Sequence, residues 1–457
     1  MRYSNNLKTL VMICMTVILL PACQKYLDEK SNSSLVTPST VSDLQGLMDD
    51  EVTMNKATPS FGESSADDYF WVPSIYDAMP VAYQDWYTWQ PYDYTFGNDW
   101  SSSAPAIYNC NLSLETLDGI ARTTSNATAW DNVEGSALFF RSYYFLGLLW
   151  DYAKAYNPAT ASTDLGIMLR TSSNFNTSFP RVSVEACYDR IINDTKTAIT
   201  LLPDTAINEL RPCKAAVYGL LSRAYLTKMD YSNALLYADS CLAIKSLLMD
   251  YNTDPQVKVN ANAPFKQFNK ETIFYSEMNN MFDLPVEYNG ASTDTVLYVS
   301  YSSYDLRKIA LFMPLGINNY VQYKGSYSGN MDVFFSGITT AEMYLTRAEC
   351  EVRNGDITDG LNDLNTLLNK RYVTGTFTNI VTDNKDSALN IVLLERRKEM
   401  LMRGQSWITV KRRNMEGANI ILQRVKGSSA FTLQPNATGY ALPFPIDIVR
   451  QTGIQQN

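Results

Sequence analysis

Hydrophobic residues recur every third or fourth position over four long stretches of the chain, the spacing typical of a helix with one buried face. The stretches are residues 106–120, 131–156, 184–202 and 213–244. Pro203 follows the third stretch, Pro212 precedes the fourth, and Ser183 offers a side-chain cap where the third begins. The pattern therefore predicts a chain dominated by α-helices.

The fourth stretch has the pattern of two antiparallel helices joined by a short turn. Leu221 and Tyr225 lie on the first helix, and Asp230 falls at the turn. Ala234 and Ala238 lie on the second helix, where small side chains let two helices approach closely. This spacing is typical of a tetratricopeptide-like hairpin.

A second hairpin is predicted at residues 340–353 and 357–371, with Gly355 at its turn, and a further helix at 389–403. Stacked hairpins build a solenoid, so we expect a mostly α fold, an α-solenoid-like scaffold of tetratricopeptide-like helix pairs. In residue numbers, this scaffold lies mainly at 106–246 and 338–425.

Two regions lack long helical periodicity and are predicted to be loop-rich, namely residues 55–105 and 250–335. The first follows a helix predicted at 41–54 and is crowded with aromatic residues and prolines. The second is rich in Tyr, Asn, Ser and Gly. Together they predict an aromatic-rich, ligand-binding sub-domain beside the scaffold.

The N terminus has the pattern of a lipoprotein signal peptide. Arg2 and Lys8 precede an apolar run at residues 10–20, which is too short to span a membrane. Pro21-Ala22-Cys23 follows this run. A lipoprotein signal peptidase requires a small residue before a cysteine. We therefore expect residues 1–22 to be removed and Cys23 to carry the lipid.

Residues 23–40 are rich in Ser, Asn and Thr, which predicts a flexible tether ahead of a domain at 41–457. Removing the positive charges of Arg2 and Lys8 changes the formal net charge from −9 to −11. This acidity argues against a nucleic acid partner and against docking on anionic headgroups. The lipid itself is then the expected attachment to the membrane.

The chain contains no histidine. Its absence excludes Ser-His-Asp and Cys-His nucleophilic sites and every zinc site that uses imidazole. No spacing of cysteines is typical of a metal site, and no cofactor or metal is expected. The five cysteines beyond Cys23 are expected to be small buried residues without an essential disulfide: Cys110, Cys187, Cys213, Cys241 and Cys350.

Flat aromatic rings and short polar side chains alternate between residues 70 and 100. Pyranose rings present apolar CH faces to aromatic rings and hydroxyl edges to Asp, Asn and Gln, so this mixture suits a carbohydrate, although it equally suits a core. Trp86 and Trp89 are the strongest candidates because Asp85 and Gln90 flank them. The candidate ligand-binding residues are Trp71, Tyr83, Asp85, Trp86, Tyr87, Trp89, Gln90 and Tyr92.

Two further sets of side chains offer alternatives. Asp67 and Asp68 form a carboxylate pair beside Tyr69 and Trp71, the arrangement that a glycosidase would require. Adjacent residues of an extended segment point in opposite directions, which argues against catalysis here. A patch of tyrosines could line a pocket or a partner surface: Tyr298, Tyr301, Tyr304, Tyr320, Tyr323 and Tyr327.

Taken in order, segments along nearly the whole mature chain resemble the SusD family, also called SusD/RagB, of Bacteroidetes-type surface lipoproteins. In the N-terminal half the resemblance lies in Tyr26-Leu27-Asp28, Thr40 to Leu44, Trp100 with Ile107 to Asn111, Ala137 to Phe145, and Arg181-Val182-Ser183. In the C-terminal half it lies in Ala341 to Glu349, Glu395 to Glu399, and Leu442-Pro443-Phe444-Pro445. The segment 151–156 and Arg403-Gly404 depart from the family pattern.

This resemblance implies a binding protein rather than an enzyme. It implies a lipoprotein of the outer membrane, displayed on the cell surface, that captures an oligosaccharide or polysaccharide fragment. The ligand would pass to a TonB-dependent, SusC-like transporter. Two alternatives stay open: a RagB-like receptor that binds peptides, and a structural lid of the transporter without a ligand site of its own.

Overall fold

The computed structural model describes residues 38–90, 93–95, 97–280 and 291–457. The expected signal peptide, Cys23 as the expected site of lipidation, most of the tether and Tyr92 lie outside these ranges. Within these ranges the first nine α-helices are α1 Val41–Met48, α2 Glu51–Asn55, α3 Phe61–Ser65, α4 Pro73–Ala78, α5 Val81–Tyr87, α6 Asp99–Leu117, α7 Ala127–Tyr152, α8 Val184–Leu201 and α9 Lys214–Thr227. The others are α10 Tyr231–Ile244, α11 Thr295–Ser300, α12 Arg307–Ala310, α13 Thr340–Asn354, α14 Ile357–Leu368, α15 Lys385–Glu399, α16 Ser406–Met415 and α17 Ile446–Thr452.

The β-structure consists of short antiparallel ribbons of two strands each. The strands are β1 Tyr69–Trp71, β2 Leu165–Met168, β3 Arg181–Ser183, β4 Thr272–Phe274, β5 Ala291–Thr293, β6 Phe312–Pro314, β7 Val321–Tyr323, β8 Ile338–Thr339, β9 Leu422–Lys426 and β10 Ser429–Leu433. They pair as β1 with β5, β2 with β3, β4 with β8, β6 with β7, and β9 with β10. The mostly α fold predicted from hydrophobic periodicity is confirmed.

The scaffold helices pack in sequence order, each against the next. Helix α6 packs on α7, α7 on α8, α8 on α9, and α9 on α10. Helix α10 then packs directly on α13, so the second hairpin, α13 and α14, continues the stack after a long excursion. This order of contacts is that of a solenoid, as predicted.

Small residues allow the close helix contacts that the sequence predicts. Ala234 and Ala238 are fully buried where α10 faces α9, and the Ser222 hydroxyl donates to the Ala234 carbonyl at 3.0 Å. In the second hairpin, a Cβ on Gly360 would lie 2.7 Å from the Ala348 carbonyl oxygen. A larger residue at position 360 would therefore push α13 and α14 apart.

Arg141 of α7 ties three scaffold helices together. Its buried guanidinium donates to Asp194 of α8 at 2.7 Å and to the Asn111 side chain of α6 at 2.8 Å. Arg141 and Asn111 both belong to segments that resemble the family. A buried charge is tolerated only when it is paired and hydrogen-bonded, which accounts for the three polar positions among aromatic neighbours.

Buried ion pairs join neighbouring scaffold helices. Arg223 of α9 pairs with Glu342 of α13 at 2.7 Å, and Arg412 of α16 pairs with Glu349 of α13 at 2.6 Å. One pair joins α9 to α13 and the other joins α16 to α13. The ion pairs therefore fix how these three helices sit relative to one another.

A larger set of buried charges joins the scaffold to the region 250–335. We call it the arginine network, and it comprises Asp305, Arg307, Glu271, Arg371, Glu395 and Glu399. Arg307 lies 2.7 Å from Asp305 and 2.5 Å from Glu395, while Arg371 lies 2.8 Å from both Glu271 and Glu399. Burial would raise the pKa of Glu399, but Arg371 and Arg307 outweigh it and hold this pKa at about 2.

Some element boundaries differ from the sequence predictions. The helix predicted at 41–54 is two helices, α1 and α2, because Asp50 accepts from the Thr53 amide and begins a new helix. Helix α6 begins at Asp99, before the predicted start at 106, with Asn98 as its cap and Pro105 inside the helix. Residues 55–105 contain short helices α3 to α5 as well as loops.

All five cysteines beyond Cys23 are buried free thiols, as predicted. No helix within the described residues is long and apolar enough to cross a membrane. Across the same ranges, no group of three or more acidic or cysteine side chains is placed to hold a metal ion.

Candidate functional site

Strand β1 divides the aromatic segment into two faces. Successive side chains of a strand point in opposite directions, so Tyr69 and Trp71 face inward and are buried, while Phe70 faces outward and is half-buried. Ser292 of β5 is the partner of Phe70 across the ribbon. Tyr69 and Trp71 thereby contribute to the core, and Phe70 contributes to the surface.

The inner face is a cluster of stacked rings. Trp71 and Tyr87 stack at 4.4 Å with an interplanar angle of 17°, and Trp86 contacts Trp71 edge-on at 5.5 Å. Trp71, Trp86 and Tyr87 are only 2–3% exposed. These three candidate ligand residues are therefore core residues in the structure, and direct contact with a ligand is not available to them.

Arg424 of β9 packs against this cluster. Its guanidinium carbon lies 4.4 Å from the centre of the Tyr87 ring, 4.8 Å from that of Tyr69 and 5.3 Å from that of Trp89. It also donates to the carbonyl of Tyr69, 355 residues away in the sequence. Such contacts stabilise a cation among aromatic faces. Sequence reasoning missed Arg424 because no local pattern connects it to the aromatic segment.

Four of the predicted ligand residues keep some exposure. Tyr83, Asp85 and Trp89 are half-buried, and Gln90 is exposed. Trp89 has a left-handed backbone (φ +55°), and its indole NH donates to the Ser65 carbonyl at 3.0 Å. They lie on or just after α5.

The outward face of β1 carries an aromatic pair that we call the Phe70–Tyr320 platform. The two rings are 5.0 Å apart and nearly perpendicular, at 87°, and both residues are half-buried. Asn318 and Asn319, in the turn between β6 and β7, are exposed next to Tyr320. The structure thus brings together residues from the two aromatic patches that the sequence treats separately.

The other tyrosines of the second patch have different positions. Tyr301, Tyr323 and Tyr327 are buried, whereas Tyr304 is 56% exposed and Tyr298 is half-buried. The Tyr298 ring packs edge-on against Phe312. Only Tyr320 of this patch reaches the platform. Two sequence features could have indicated this pair. Alternation along the strand at residues 69–71 places Phe70 on the opposite face from Tyr69 and Trp71, and Asn318-Asn319 is typical of a surface turn beside Tyr320.

The carboxylate pair Asp67 and Asp68 is bound by other side chains. Asp68 accepts from Arg397 at 2.7 Å and from the Ser406 hydroxyl at 2.5 Å, while Asp67 lies 3.9 Å from Arg397. Burial raises the pKa of Asp67. Asp68 is consequently a structural carboxylate held in an ion pair, which does not suit a free nucleophile.

Replacing Glu63 by glutamine is expected to remove a pH dependence of stability. Glu63 is buried in α3, where it accepts from the Ser406 amide at 3.2 Å, and burial together with the charge of Asp68 raises its pKa to about 8. The folded chain therefore holds a proton that the unfolded chain loses near pH 4–5, so the wild type loses stability as the pH rises towards 8.

We expect the free energy of unfolding of the Glu63→Gln variant, relative to that of the wild type, to increase by about 2 kcal/mol between pH 6 and pH 8. Equilibrium urea unfolding of both proteins at the two pH values checks this. A difference that stays constant with pH would contradict the raised pKa.

Two family profiles match the sequence in consecutive regions. A SusD-like profile, described as starch-binding associating with outer membrane, matches residues 25–226. A profile described as the SusD family matches residues 245–443. Together these matches span most of the chain. The chain belongs to the SusD family. The resemblance found in the sequence motifs is therefore confirmed.

Solved structures of SusD-family proteins share this fold over nearly their whole length. A putative sugar binding protein from Bacteroides vulgatus is 18% identical, with a TM-score of 0.72 over 92% of this chain and 99% of its own. A SusD superfamily protein from Bacteroides thetaiotaomicron is also 18% identical, with a TM-score of 0.71 and the same coverage.

Surface glycan-binding protein A from Bacteroides uniformis is 16% identical, with a TM-score of 0.65 over 92% of this chain and 99% of its own. A comparison with curated proteins gives no significant match. At these identities the solved structures establish the fold of this SusD-family chain. Its ligand must be argued from its own residues.

Proposed function

We propose that this SusD-family chain is a lipoprotein of the outer membrane surface that captures an oligosaccharide or polysaccharide fragment. It passes the ligand to a TonB-dependent, SusC-like transporter and catalyses no reaction. The observation that carries the proposal is the Phe70–Tyr320 platform, two half-exposed rings beside a turn of exposed amides.

The chemistry of the platform matches that of a sugar. A pyranose ring has apolar CH faces that pack on an aromatic ring, and hydroxyl groups around its edge that need donors and acceptors. Asn318 and Asn319 each carry both a donor and an acceptor. The descriptions of the matching profile and of two solved structures, which refer to starch, sugar and glycan binding, support the same ligand class.

In this proposal the aromatic cluster behind β1 has a supporting role. Trp71, Trp86 and Tyr87 hold the strand rigid, so that Phe70 is presented in one orientation. Tyr83, Asp85, Trp89 and Gln90 form a second contact region for a longer chain of sugars. Rigid placement matters because ordering a side chain on binding reduces affinity.

Attachment to the membrane is proposed through Cys23, followed by the tether at 23–40 and the domain at 41–457. Several acyl chains on one cysteine hold a protein durably on a bilayer, whereas a single chain binds only marginally. Mass spectrometry of the mature N terminus tests this part, since a mature chain that lacks a lipidated Cys23 would contradict it.

The ligand site is tested by the Tyr320→Ala and Phe70→Ala variants. We expect each to weaken binding of the recognised glycan at least ten-fold, about 1.4 kcal/mol, because the stacking surface is lost while the fold is kept. Isothermal titration calorimetry against a panel of polysaccharides measures this. Phe175→Ala is the matched control, because Phe175 is 74% exposed on a different loop.

Several outcomes would contradict the proposal. If Phe175→Ala weakens glycan binding as much as the platform variants do, the platform is not the ligand-binding site. Competition by peptide digests, without glycan binding, would support the RagB-like alternative, and the absence of any ligand would support a structural lid. Product release that depends on Asp67 or Asp68 would make the protein a glycosidase.

A further inference from the structure

Helices α15 and α16 enclose a pocket of about 200 Å³ next to β1. One wall is a single face of α16, formed by Ser406, Thr409, Val410 and Arg413, whose spacing of three and four residues places them in line. The opposite face of α16 is buried in the core. The pocket is therefore built by the ordered scaffold rather than by a loop.

Arg413 is the unusual member of this wall. Its half-buried guanidinium makes no hydrogen bond or ion pair with another described residue. Its neighbour Arg412 pairs with Glu349 at 2.6 Å, and Arg397 across the pocket pairs with Asp68 at 2.7 Å. Burial and the nearby charge of Arg412 lower the pKa of Arg413 and outweigh the opposite effect of Glu349.

Thr409 lies one helical turn before Arg413 on the same face. Its half-buried hydroxyl also makes no hydrogen bond with another described residue. A guanidinium and a hydroxyl spaced by one turn are suitable donors for the two oxygens of one carboxylate. This end of the pocket therefore favours an anionic group.

The other end of the pocket favours hydroxyl groups. Asp67 and Asp68 line it, and Asp68 accepts from Ser406 at the start of α16. Arg413 lies seven positions after Ser406 on the helix, a rise of about 10 Å. Carboxylates accept hydrogen bonds from sugar hydroxyls but repel a second anion, so the two ends of the pocket select for different groups of one ligand.

Apolar side chains also line the pocket, including Leu393, Met400 and Ile420. They suit the CH face of a ring. The volume of about 200 Å³ is below the roughly 300–1,000 Å³ of pockets for drug-sized ligands, so it suits a single ring. A ring with one carboxylate, several hydroxyls and an apolar face is a sugar acid.

We propose that this pocket binds one hexuronate residue, with its carboxylate on Arg413 and Thr409 and its hydroxyls towards Asp67 and Asp68. The pocket adjoins the Phe70–Tyr320 platform, since Asp68 lies just before β1 and its carbonyl accepts from the amide of Asp294, just after β5. The inference rests on the proposed function and deepens it, because it makes acidic glycans the substrate class.

The test is calorimetric titration of the full mature protein with D-glucuronate, D-glucose and sulfate. We expect binding of glucuronate, with no binding of glucose or sulfate at the same concentration. Arg413→Gln should weaken glucuronate binding at least ten-fold, and Thr409→Val should weaken it several-fold. Arg450→Gln, which removes an exposed arginine elsewhere, should leave it unchanged.

Absence of glucuronate binding, or equal binding by the wild type and Arg413→Gln, would overturn the inference. Sulfate binding as strong as glucuronate binding would overturn the assignment to sugar acids. Arg413 makes no ion pair, so the Arg413→Gln variant should keep the wild-type melting temperature, which confirms that it is folded. The two proposals can fail separately. If Tyr320→Ala loses binding of a neutral glycan and Arg413→Gln keeps it, the proposed function stands even where no glucuronate binds.

Discussion

Replacing Glu399 by alanine is expected to lower the free energy of unfolding by about 3–5 kcal/mol, because breaking a buried ion pair leaves an uncompensated charge. Glu399 is buried at the centre of the arginine network, 2.8 Å from Arg371 and 3.2 Å from Arg307. Without it, both guanidinium groups keep their charge but lose an acceptor in the protein interior.

Chemical denaturation monitored by circular dichroism measures this effect. Asp189→Ala is a suitable control, since Asp189 is an exposed carboxylate of α8 and its loss should change stability by less than about 0.5 kcal/mol. Similar destabilisation by the two changes would show that Glu399 acts as an ordinary surface charge.

Trp86→Ala is expected to destabilise the fold by about 3–5 kcal/mol, the usual cost of removing a large buried aromatic ring. Trp86 is 3% exposed and contacts the rings of Trp71, Tyr83 and Tyr87. The variant would leave a cavity in the cluster behind β1. Thermal unfolding measures the loss, with Tyr320→Ala as the control that should change stability far less.

This prediction also separates the two interpretations of the aromatic segment. If Trp86 were a ligand residue on the surface, its alanine variant would lose glycan binding and keep the wild-type stability. The structure predicts instead that the Trp86→Ala variant loses stability. Weakened binding in that variant would follow from a disordered Phe70 rather than from a lost contact.

Hydrophobic periodicity was sufficient to predict the scaffold. It placed both hairpins, and the small residues at Ala234 and Ala238 correctly indicated close helix contacts. Boundaries were less predictable. Asn98 and Ser101 cap each other and start α6 ahead of Pro105, a side-chain hydrogen bond that outweighs the expectation of a helix start after proline.

The candidate site was less predictable, because composition does not report which face of a segment is buried. Trp86 and Trp89 each have a polar neighbour in the sequence, Asp85 and Gln90, yet Trp86 is in the core and Trp89 is half-buried. The platform requires Phe70 and Tyr320, which are 250 positions apart in the printed sequence. Contacts at such separation arise from tertiary packing and leave no local pattern.

The arginine network also determines how the chain can be divided. Arg371 and Glu271 are 100 residues apart, and Arg307 and Glu399 are 92 apart. A chain that ended before α15 would retain Arg307 without Glu395 and Glu399, and burying it in that state would cost several kcal/mol. Residues 250–335 therefore cannot be excised with the N-terminal half as an independent module. The loop-rich region and helix α15 therefore belong to one folding unit.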